Sequence, residues 1–262
     1  MSQTHKRTQV AIIGGGPSGL LLSQLLNLAG IDTVILERTS RARVLARIRA
    51  GVLESGTVDM LRAAGVADRL VAEGHTHSGC VFTDDDLMVR IDFTGLTGKA
   101  VMVYGQTEVT HDLYAAQDEL GTPILHEVSD LVIHEATSSA PYLTYTHEGR
   151  AVRLDCDYVA GCDGFHGVSR QTIPAERRSE FERVYPFGWL GILSRTRPAH
   201  DELIYANSGS GFALASMRNA NLSRYYVQVP LTDRVEDWSD EAFWDRLRAC
   251  LPQDIRATLQ TG

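Results

Sequence analysis

The 262-residue chain lacks the features that mark several specialised classes of protein. Acidic residues outnumber basic ones, 33 to 25, which gives a formal net charge of −8, whereas a nucleic-acid-binding protein carries a basic stripe. No run of about eighteen apolar residues occurs, so no segment is predicted to span a membrane. The four cysteines form no CxxC pair, and no zinc or other metal site is predicted. The first residues resemble no secretory signal, and we expect a cytoplasmic protein.

The overall composition is that of an ordinary globular protein. Hydrophobic residues make up 44% of the chain and charged residues 22%, which excludes a disordered or collagen-like chain. The length suits one large domain or two small ones. Helical and strand patterns alternate at first, while strands dominate beyond residue 185, so the sequence predicts an α/β (α+β) chain with interleaved domains.

The first forty residues carry the clearest motif. A short apolar run at residues 10–13 is typical of a buried strand, and the glycine-rich GGGPSG follows it. The next eleven residues, LLLSQLLNLAG, have a helical pattern that ends at Gly30, and residues 33–36 form a second apolar run closed by Glu37. Strand, glycine turn, helix and strand within about thirty residues are the size of one βαβ unit.

The glycine turn and its acidic partner predict a dinucleotide site. Gly14, Gly16 and Gly19 fit the G-x-G-x-x-G pattern, in which glycines allow a tight turn and a close approach of the backbone to a pyrophosphate. The helix that follows adds its N-terminal N–H groups and dipole. Glu37 can accept hydrogen bonds from a ribose 2′-hydroxyl and would repel a 2′-phosphate. These residues favour FAD or NAD over NADP on this unit and leave open which of the two binds.

The remaining pattern predicts helices over residues 38–74, 106–119, 240–251 and 253–259. Short strands are predicted in the segments between, including residues 131–134, 142–147, 151–154 and 158–161.

A second motif, DCDYVAGCDGFHGVSRQ at residues 155–171, resembles the Asp-Gly fingerprint of the flavoprotein aromatic hydroxylases. The segments ERTSRARVLARIRAGVLE, VYGQTEVT, ERVYPFGWLG, ELIYAN and SRYYVQVPLT are similar to that family as well, so the likeness runs through nearly the whole chain. It implies a Rossmann-like FAD-binding domain, expected at residues 1–76 and 104–184. A β-sheet substrate domain is expected at residues 77–103 and 185–262. The C-terminal part of the family fold is expected to be absent.

The resemblance also implies a reaction. NADPH would reduce FAD, and the reduced flavin would add O₂ to form a C4a-hydroperoxide. This species would hydroxylate 4-hydroxybenzoate at the 3-position and give 3,4-dihydroxybenzoate, while the protein positions the reactants and excludes water. A homodimer is expected by resemblance, and no nucleic-acid or membrane partner.

The resemblance assigns substrate contacts to four residues of the second half and a proton relay to His77. Tyr205 matches the tyrosine that bonds the substrate phenol and favours its ionisation, and His77 matches the end of a proton relay toward solvent. Arg218 matches the arginine that binds the substrate carboxylate in a bidentate manner. Ser216 and Tyr226 supply further hydrogen bonds. Without the resemblance, an ordinary strand tyrosine and a surface histidine would be the simpler interpretations of Tyr205 and His77.

The same resemblance assigns flavin contacts to Arg224, near the isoalloxazine, and to residues along the rest of FAD: Ser18, Glu37, Arg38, Arg47, Arg49, Gln106 and Asp163. The cofactor-binding set also includes Gly14, Gly16 and Gly19 of the glycine turn. His166 and Arg49 match positions implicated in nicotinamide binding. Arg41 and Arg43 add positive charge for a 2′-phosphate, so NADPH is predicted over NADH. NADH stays possible because TSRARVLAR lacks the tyrosine of the NADPH-using version.

Three alternatives remain open. The chain could belong to a related hydroxylase of another para-substituted benzoate, or it could be an inactive FAD-binding fragment. An NAD-dependent dehydrogenase is supported by the glycine turn alone, and the Asp-Gly motif argues against it.

Overall fold

The computed structural model describes residues 4–262, which divide into two compact units. The first unit comprises the chain up to Ala50 together with Asp59–Ala72 and Gly105–Phe181. The second unit comprises Gly51–Val58, Glu73–Tyr104 and Glu182–Gly262. The mixed α/β class predicted from the sequence is confirmed.

The strands, in chain order, are β1 (Thr4–Arg7), β2 (Val10–Ile13), β3 (Thr33–Leu36), β4 (Val52–Leu53), β5 (His75–His77), β6 (Gly79–Asp84), β7 (Leu87–Asp92), β8 (Val101–Val103), β9 (Ile124–Leu125), β10 (Ser129–His134), β11 (Tyr142–His147), β12 (Arg150–Asp155), β13 (Tyr158–Gly161), β14 (Phe187–Ser194), β15 (Leu203–Ser208), β16 (Gly211–Asn219) and β17 (Leu222–Pro230).

The α-helices are α1 (Pro17–Leu28), α2 (Arg41–Leu45), α3 (Ser55–Ala63), α4 (Asp68–Glu73), α5 (Phe93–Thr97), α6 (Gln106–Leu120), α7 (Val168–Thr172), α8 (Asp240–Cys250) and α9 (Gln253–Thr258). Within residues 4–262, no helix is long and apolar enough to cross a membrane.

A parallel sheet in the order β13-β2-β3-β9 forms the centre of the first unit. All four residues of β2 are buried, which explains its uninterrupted apolar sequence. Helices α1 and α6 pack against each other beside this sheet. A second sheet, β1-β12-β11-β10, shares a core with the first that includes Ile13, Leu36, Leu143 and Leu154. The predicted strand, glycine turn, helix and strand are therefore confirmed.

A six-stranded sheet in the order β14-β17-β16-β15-β6-β7 dominates the second unit. Alternate residues of β15, β16 and β17 are buried, and they form one core with Phe243, Trp244 and Leu247 of α8. One face of this sheet is thus covered by the C-terminal helices, and the residues between the buried ones point to the opposite face.

The helical pattern predicted for residues 38–74, with interruptions at Gly56 and Gly65, is wrong in its middle. The short helices α2 and α3 are separated by an extended segment in which β4 pairs with β8, and β8 also pairs with β5. The Gly51 carbonyl accepts a hydrogen bond from the Tyr104 N–H, which extends the pairing of β4 with β8 by one residue on each strand. For this reason residues 51–58 and 73–76, expected in the first domain, group with the second unit.

Candidate functional site

The glycine turn between β2 and α1 is shaped by glycines at two tightly packed positions. Gly14 has a φ of +109°, and a Cβ built on it would overlap the backbone carbonyl of Cys162. A Cβ on Gly19 would overlap the Gly14 carbonyl, so α1 lies directly against the turn. A Cβ on Gly16 would meet nothing within 4 Å. The turn is therefore closed toward the sheet and open at Gly16, where α1 begins.

The N-terminus of α1 supplies donors on that open side. Gly16 is its N-cap and has no side-chain hydrogen bond, Pro17 occupies the first turn, and that turn contains no acidic residue. The first N–H groups of a helix have no intrahelical partner and carry a partial positive charge. Ser18, predicted to contact the flavin, is exposed in this turn.

Glu37 lies beside the turn at the end of β3 and is 7% exposed. One carboxylate oxygen accepts a 2.8 Å hydrogen bond from the Gly15 N–H, and the other accepts from the backbone N–H and hydroxyl of Thr39. Burial acts to raise the pKa of Glu37, but these hydrogen bonds and the charge of Arg47 outweigh it and lower the pKa overall. Glu37 is therefore an ionised acceptor at neutral pH.

Tyr114 and His126 also lie next to this turn, although neither was predicted from the sequence. The Tyr114 side chain is fully buried in α6, and its hydroxyl lies 3.1 Å from the Gly15 carbonyl and 3.1 Å from His126 Nε2. Arg41 stacks over the Tyr114 ring at 4.5 Å and pairs with Asp118 through two hydrogen bonds. The charge of Arg41, expected to meet a 2′-phosphate, is thus balanced by a carboxylate.

The Asp-Gly motif lies at the carboxyl end of β13, next to β2. The Cys162 N–H donates to the Ile13 carbonyl at 2.7 Å, which joins the motif to the glycine turn. The Asp163 carboxylate accepts from the Ser169 N–H in the first turn of α7, and a Cβ on Gly167 would overlap that carboxylate. His166 is exposed beside Phe165, at a centroid distance of 5.0 Å. Both motifs therefore meet at one edge of the parallel sheet.

The remaining residues predicted for the flavin also belong to the first unit, apart from Arg224. Arg38, Arg47 and Arg49 are exposed in the segment that follows β3. Gln106 is the first residue of α6, and its N–H donates to the Ala50 carbonyl.

This donor set fits a dinucleotide. An open glycine turn at a helix N-terminus provides N–H groups for a pyrophosphate, and Glu37 provides an ionised acceptor for ribose hydroxyls. FAD can be held by these residues.

The residues predicted for the substrate gather on the second unit, on the sheet face opposite α8. Successive residues of a strand point to opposite faces of the sheet. The core beside α8 contains Ile204, Ala215 and Tyr225. The opposite face therefore carries their neighbours in the strands, which are Tyr205, Ser216, Arg224 and Tyr226. The Ser216 hydroxyl donates to the Arg224 carbonyl on the neighbouring strand. Arg224, expected at the isoalloxazine, shares this face with the substrate residues.

Tyr205 is half-buried on this face and stacks on Phe82 with a centroid distance of 4.9 Å. Burial raises its pKa, and the neighbouring Cys80 thiol adds to the effect. The Tyr205 hydroxyl therefore keeps its proton and can donate a hydrogen bond to an anionic oxygen.

Tyr226 lies over a glycine. Gly191 is its partner across β14 and β17, and a Cβ there would press into the Tyr226 ring. Arg224 lies 4.5 Å above that ring, and Trp189 packs edge-on against it. These contacts fix both the phenol of Tyr226 and the guanidinium of Arg224.

Arg218 occupies a β-bulge, which the sequence did not indicate. The register of β16 with β17 passes from the Met217–Ser223 pair to the Asn219–Leu222 pair and skips Arg218. Bulges often redirect a side chain at a functional site, and here the guanidinium reaches Gly51, where any Cβ would overlap its Nη1. Burial lowers the pKa of Arg218 to about 10, and the like charge of Arg224 contributes.

His77, expected at the end of a proton relay toward solvent, is buried in this structure. The residue is 4% exposed, and its Nε2 lies 3.1 Å from Met217 Sδ. Burial lowers the pKa of His77, although nearby Glu202 partly opposes this. The expected contact of His77 with solvent is absent from this structure because the Met217 thioether covers Nε2.

Comparisons with known proteins find an FAD-binding family and similar hydroxylases. A family model described as "FAD binding domain" matches residues 7–261. The p-hydroxybenzoate hydroxylase of Acinetobacter baylyi is 50% identical over 261 residues, which are 99% of this chain and 64% of that protein. A probable NADH-specific resorcinol 4-hydroxylase of Rhodococcus jostii is 29% identical over 64% of this chain and 32% of its own length. This chain thus spans less than two thirds of either relative.

Solved structures show the same fold at low sequence identity. P. aeruginosa PqsL in complex with 2-aminobenzoylacetate matches with a TM-score of 0.80 at 19% identity, over 97% of this chain and 70% of PqsL. The p-nitrophenol 4-monooxygenase PnpA of Pseudomonas putida DLL-E4 matches with a TM-score of 0.79 at 16% identity, over 99% and 65%. The chain therefore belongs to the FAD binding domain family, and its likeness to p-hydroxybenzoate hydroxylase supports membership of the flavoprotein aromatic hydroxylases.

Proposed function

We propose that the protein of which this chain forms all or part is an FAD-dependent monooxygenase that hydroxylates 4-hydroxybenzoate at the 3-position. The observation that carries the proposal is the presence, on one unit, of a protonated phenol and two half-buried cationic groups. Tyr205 supplies the phenol, and Arg218 and Arg224 supply the charges. The 50% identity to p-hydroxybenzoate hydroxylase supports the same substrate.

The arginines favour an anionic ligand for an electrostatic reason. Burial and mutual repulsion both disfavour the charged form of Arg218. A carboxylate would offset this repulsion and accept two hydrogen bonds from the planar guanidinium fork, a geometry that a lysine does not reproduce. We propose Arg218 as the carboxylate-binding residue, with Ser216 and Tyr226 as further hydrogen-bond partners.

Tyr205 is the proposed donor to the substrate oxygen at the other end of the ring. A phenol has an ordinary pKa near 10, so the substrate ionises near neutral pH only where its anion is stabilised. A donor whose own pKa is raised stays protonated and stabilises that anion. The phenolate ring is richer in electrons than the phenol and reacts faster with an electrophilic oxygen. His77, neutral at pH 7 because burial lowers its pKa, is the proposed acceptor of the released proton.

FAD, when bound and reduced by NAD(P)H, would activate O₂ so that one oxygen atom enters the ring and the other leaves as water. The proposed role of the first unit is to hold its dinucleotide through the open turn at Gly16 and the carboxylate of Glu37. Arg43 offers charge to a coenzyme 2′-phosphate, and we propose NADPH as the preferred reductant.

Substrate-dependent reduction of the flavin tests this proposal. The FAD-loaded protein is mixed with NADPH in a stopped-flow instrument, and the loss of flavin absorbance is followed with 4-hydroxybenzoate, with 4-aminobenzoate, and without either. We expect the fastest reduction with 4-hydroxybenzoate. Equal rates in all three mixtures would contradict the substrate assignment, and a faster reaction with 4-aminobenzoate would favour a related hydroxylase.

A further inference from the structure

The backbone of Gly15 is held by side chains from two directions. The Gly15 N–H donates to Glu37, and the Gly15 carbonyl lies 3.1 Å from the Tyr114 hydroxyl. A Cβ on Gly15 would lie 3.0 Å from Glu37 Cβ and 3.2 Å from the Tyr114 hydroxyl, so only glycine fits between these side chains without displacing one. The turn is thus clamped between the end of β3 and the buried face of α6.

The contact that holds the Gly15 carbonyl also orients the Gly16 N–H. A trans peptide is planar, and its C=O and N–H groups point in opposite directions. The Gly15 carbonyl shares its peptide with the Gly16 N–H, so a carbonyl aimed at Tyr114 aims that N–H away from α6. Gly16 is the position at which the turn is open, with no atom within 4 Å of a built Cβ. The Tyr114 contact therefore orients a donor toward the space in which a pyrophosphate fits.

Tyr114 has one hydroxyl proton and two neighbours. The Gly15 carbonyl is an acceptor only, whereas His126 Nε2, also 3.1 Å away, either donates or accepts according to its tautomer. If Nε2 carries the proton, His126 donates to the Tyr114 oxygen and Tyr114 donates to Gly15. If Nε2 is bare, it competes with Gly15 for the Tyr114 proton.

We propose that Tyr114 and His126 form a positioning pair for FAD, in which His126 Nε2–H donates to Tyr114 and Tyr114 donates to the Gly15 carbonyl. This arrangement satisfies all three groups at once, and the competing tautomer leaves a buried carbonyl without the Tyr114 donor. Burial lowers the pKa of His126, which keeps the imidazole neutral at pH 7 and makes its tautomer decisive. The inference rests on FAD binding and does not require the proposed hydroxylation.

The first test compares two tyrosine-to-phenylalanine variants of the same unit. Tyr114→Phe removes the donor to Gly15, and we expect the dissociation constant of FAD, measured by reconstituting the apoprotein, to rise about tenfold. Tyr145→Phe is the matched control, because Tyr145 is also buried and its hydroxyl has no hydrogen-bond partner among residues 4–262. It should bind FAD as the parent does. A purely structural Tyr114 would lower the melting temperature and leave FAD affinity unchanged, which would overturn the proposal.

The second test reads the tautomer directly. Nitrogen-15 NMR of histidine-labelled protein, with His126 assigned by its absence from His126→Gln, should show a protonated Nε2 and a bare Nδ1. A bare Nε2 would overturn the proposal even if FAD affinity fell in Tyr114→Phe. His126→Gln keeps an amide donor at this position, so its FAD affinity should stay within about threefold of the parent. A loss as large as that of Tyr114→Phe would contradict the donor role.

Discussion

Replacing Gly51 with alanine is expected to weaken substrate binding by displacing Arg218 while leaving the fold intact. The new methyl group would overlap the Arg218 Nη1 atom. Because non-bonded heavy atoms settle about 3.5–4.0 Å apart, the guanidinium would have to retreat by roughly 2 Å. The Gly51 carbonyl would keep its hydrogen bond from Tyr104, so the strand pairing has no reason to change.

The size of the effect follows from the geometry of a bidentate ion pair. Hydrogen bonds to a charged group contribute about 1.5–3 kcal/mol, and a guanidinium displaced by this much loses at least one of them. We therefore expect the dissociation constant of 4-hydroxybenzoate, measured by perturbation of the flavin spectrum, to rise roughly 10- to 100-fold. FAD content and melting temperature should stay near those of the parent.

Gly56→Ala provides the matched control, because a Cβ there meets nothing within 4 Å and the residue lies within α3. Alanine is the better helix former, so this variant should be slightly more stable and bind substrate normally. Combining Gly51→Ala with Arg218→Ala should weaken binding little beyond Arg218→Ala alone, since both changes act on one contact. A folded Gly51→Ala protein with unchanged substrate affinity would refute the reasoning.

Four further predictions concern the proposed roles. Tyr205→Phe should bind substrate within about threefold of the parent and hydroxylate it at least tenfold more slowly, as measured by single-turnover product formation; a normal rate would exclude the phenolate role. Arg218→Lys should raise the KM for 4-hydroxybenzoate about tenfold with little change in FAD content, and an unchanged KM would argue against bidentate binding. The pKa of Glu37 is lowered on folding. The ionised Glu37 therefore stabilises the fold above the ordinary glutamate pKa, and this contribution is lost as the pH falls through the lowered pKa. In Glu37→Gln the melting temperature should decline less steeply with acid than in the parent, and an identical decline would contradict this. For the coenzyme, kcat/KM should be larger with NADPH than with NADH, and the reverse order would refute the charge argument.

The elements around the dinucleotide were predictable because local sequence determines them. An uninterrupted apolar run is typical of a strand buried on both faces, and β2 is such a strand. The glycines at positions 14 and 19 face backbone atoms too close for any side chain, which is why their spacing carried a signal. Glu37 was predictable because it is the acidic residue that directly follows the second strand of the βαβ unit.

The residues that the sequence did not reveal depend on contacts between distant segments. Gly51 lies in a segment whose helical pattern is overridden by pairing with β8, and its partner Arg218 is redirected by a bulge. Tyr114 follows a helical pattern in which a buried tyrosine is unremarkable until Gly15 and His126 are seen beside its hydroxyl. The burial of His77 could not be predicted, because the side chain that covers it, Met217, is distant in the sequence.

Isotope labelling tests most directly the proposed transfer of oxygen to 4-hydroxybenzoate. The FAD-loaded protein is incubated with 4-hydroxybenzoate, NADPH and ¹⁸O₂, and the aromatic products are analysed by mass spectrometry. The account predicts 3,4-dihydroxybenzoate that carries one ¹⁸O atom. NADPH oxidation that yields only hydrogen peroxide, with 4-hydroxybenzoate recovered unchanged, would contradict it.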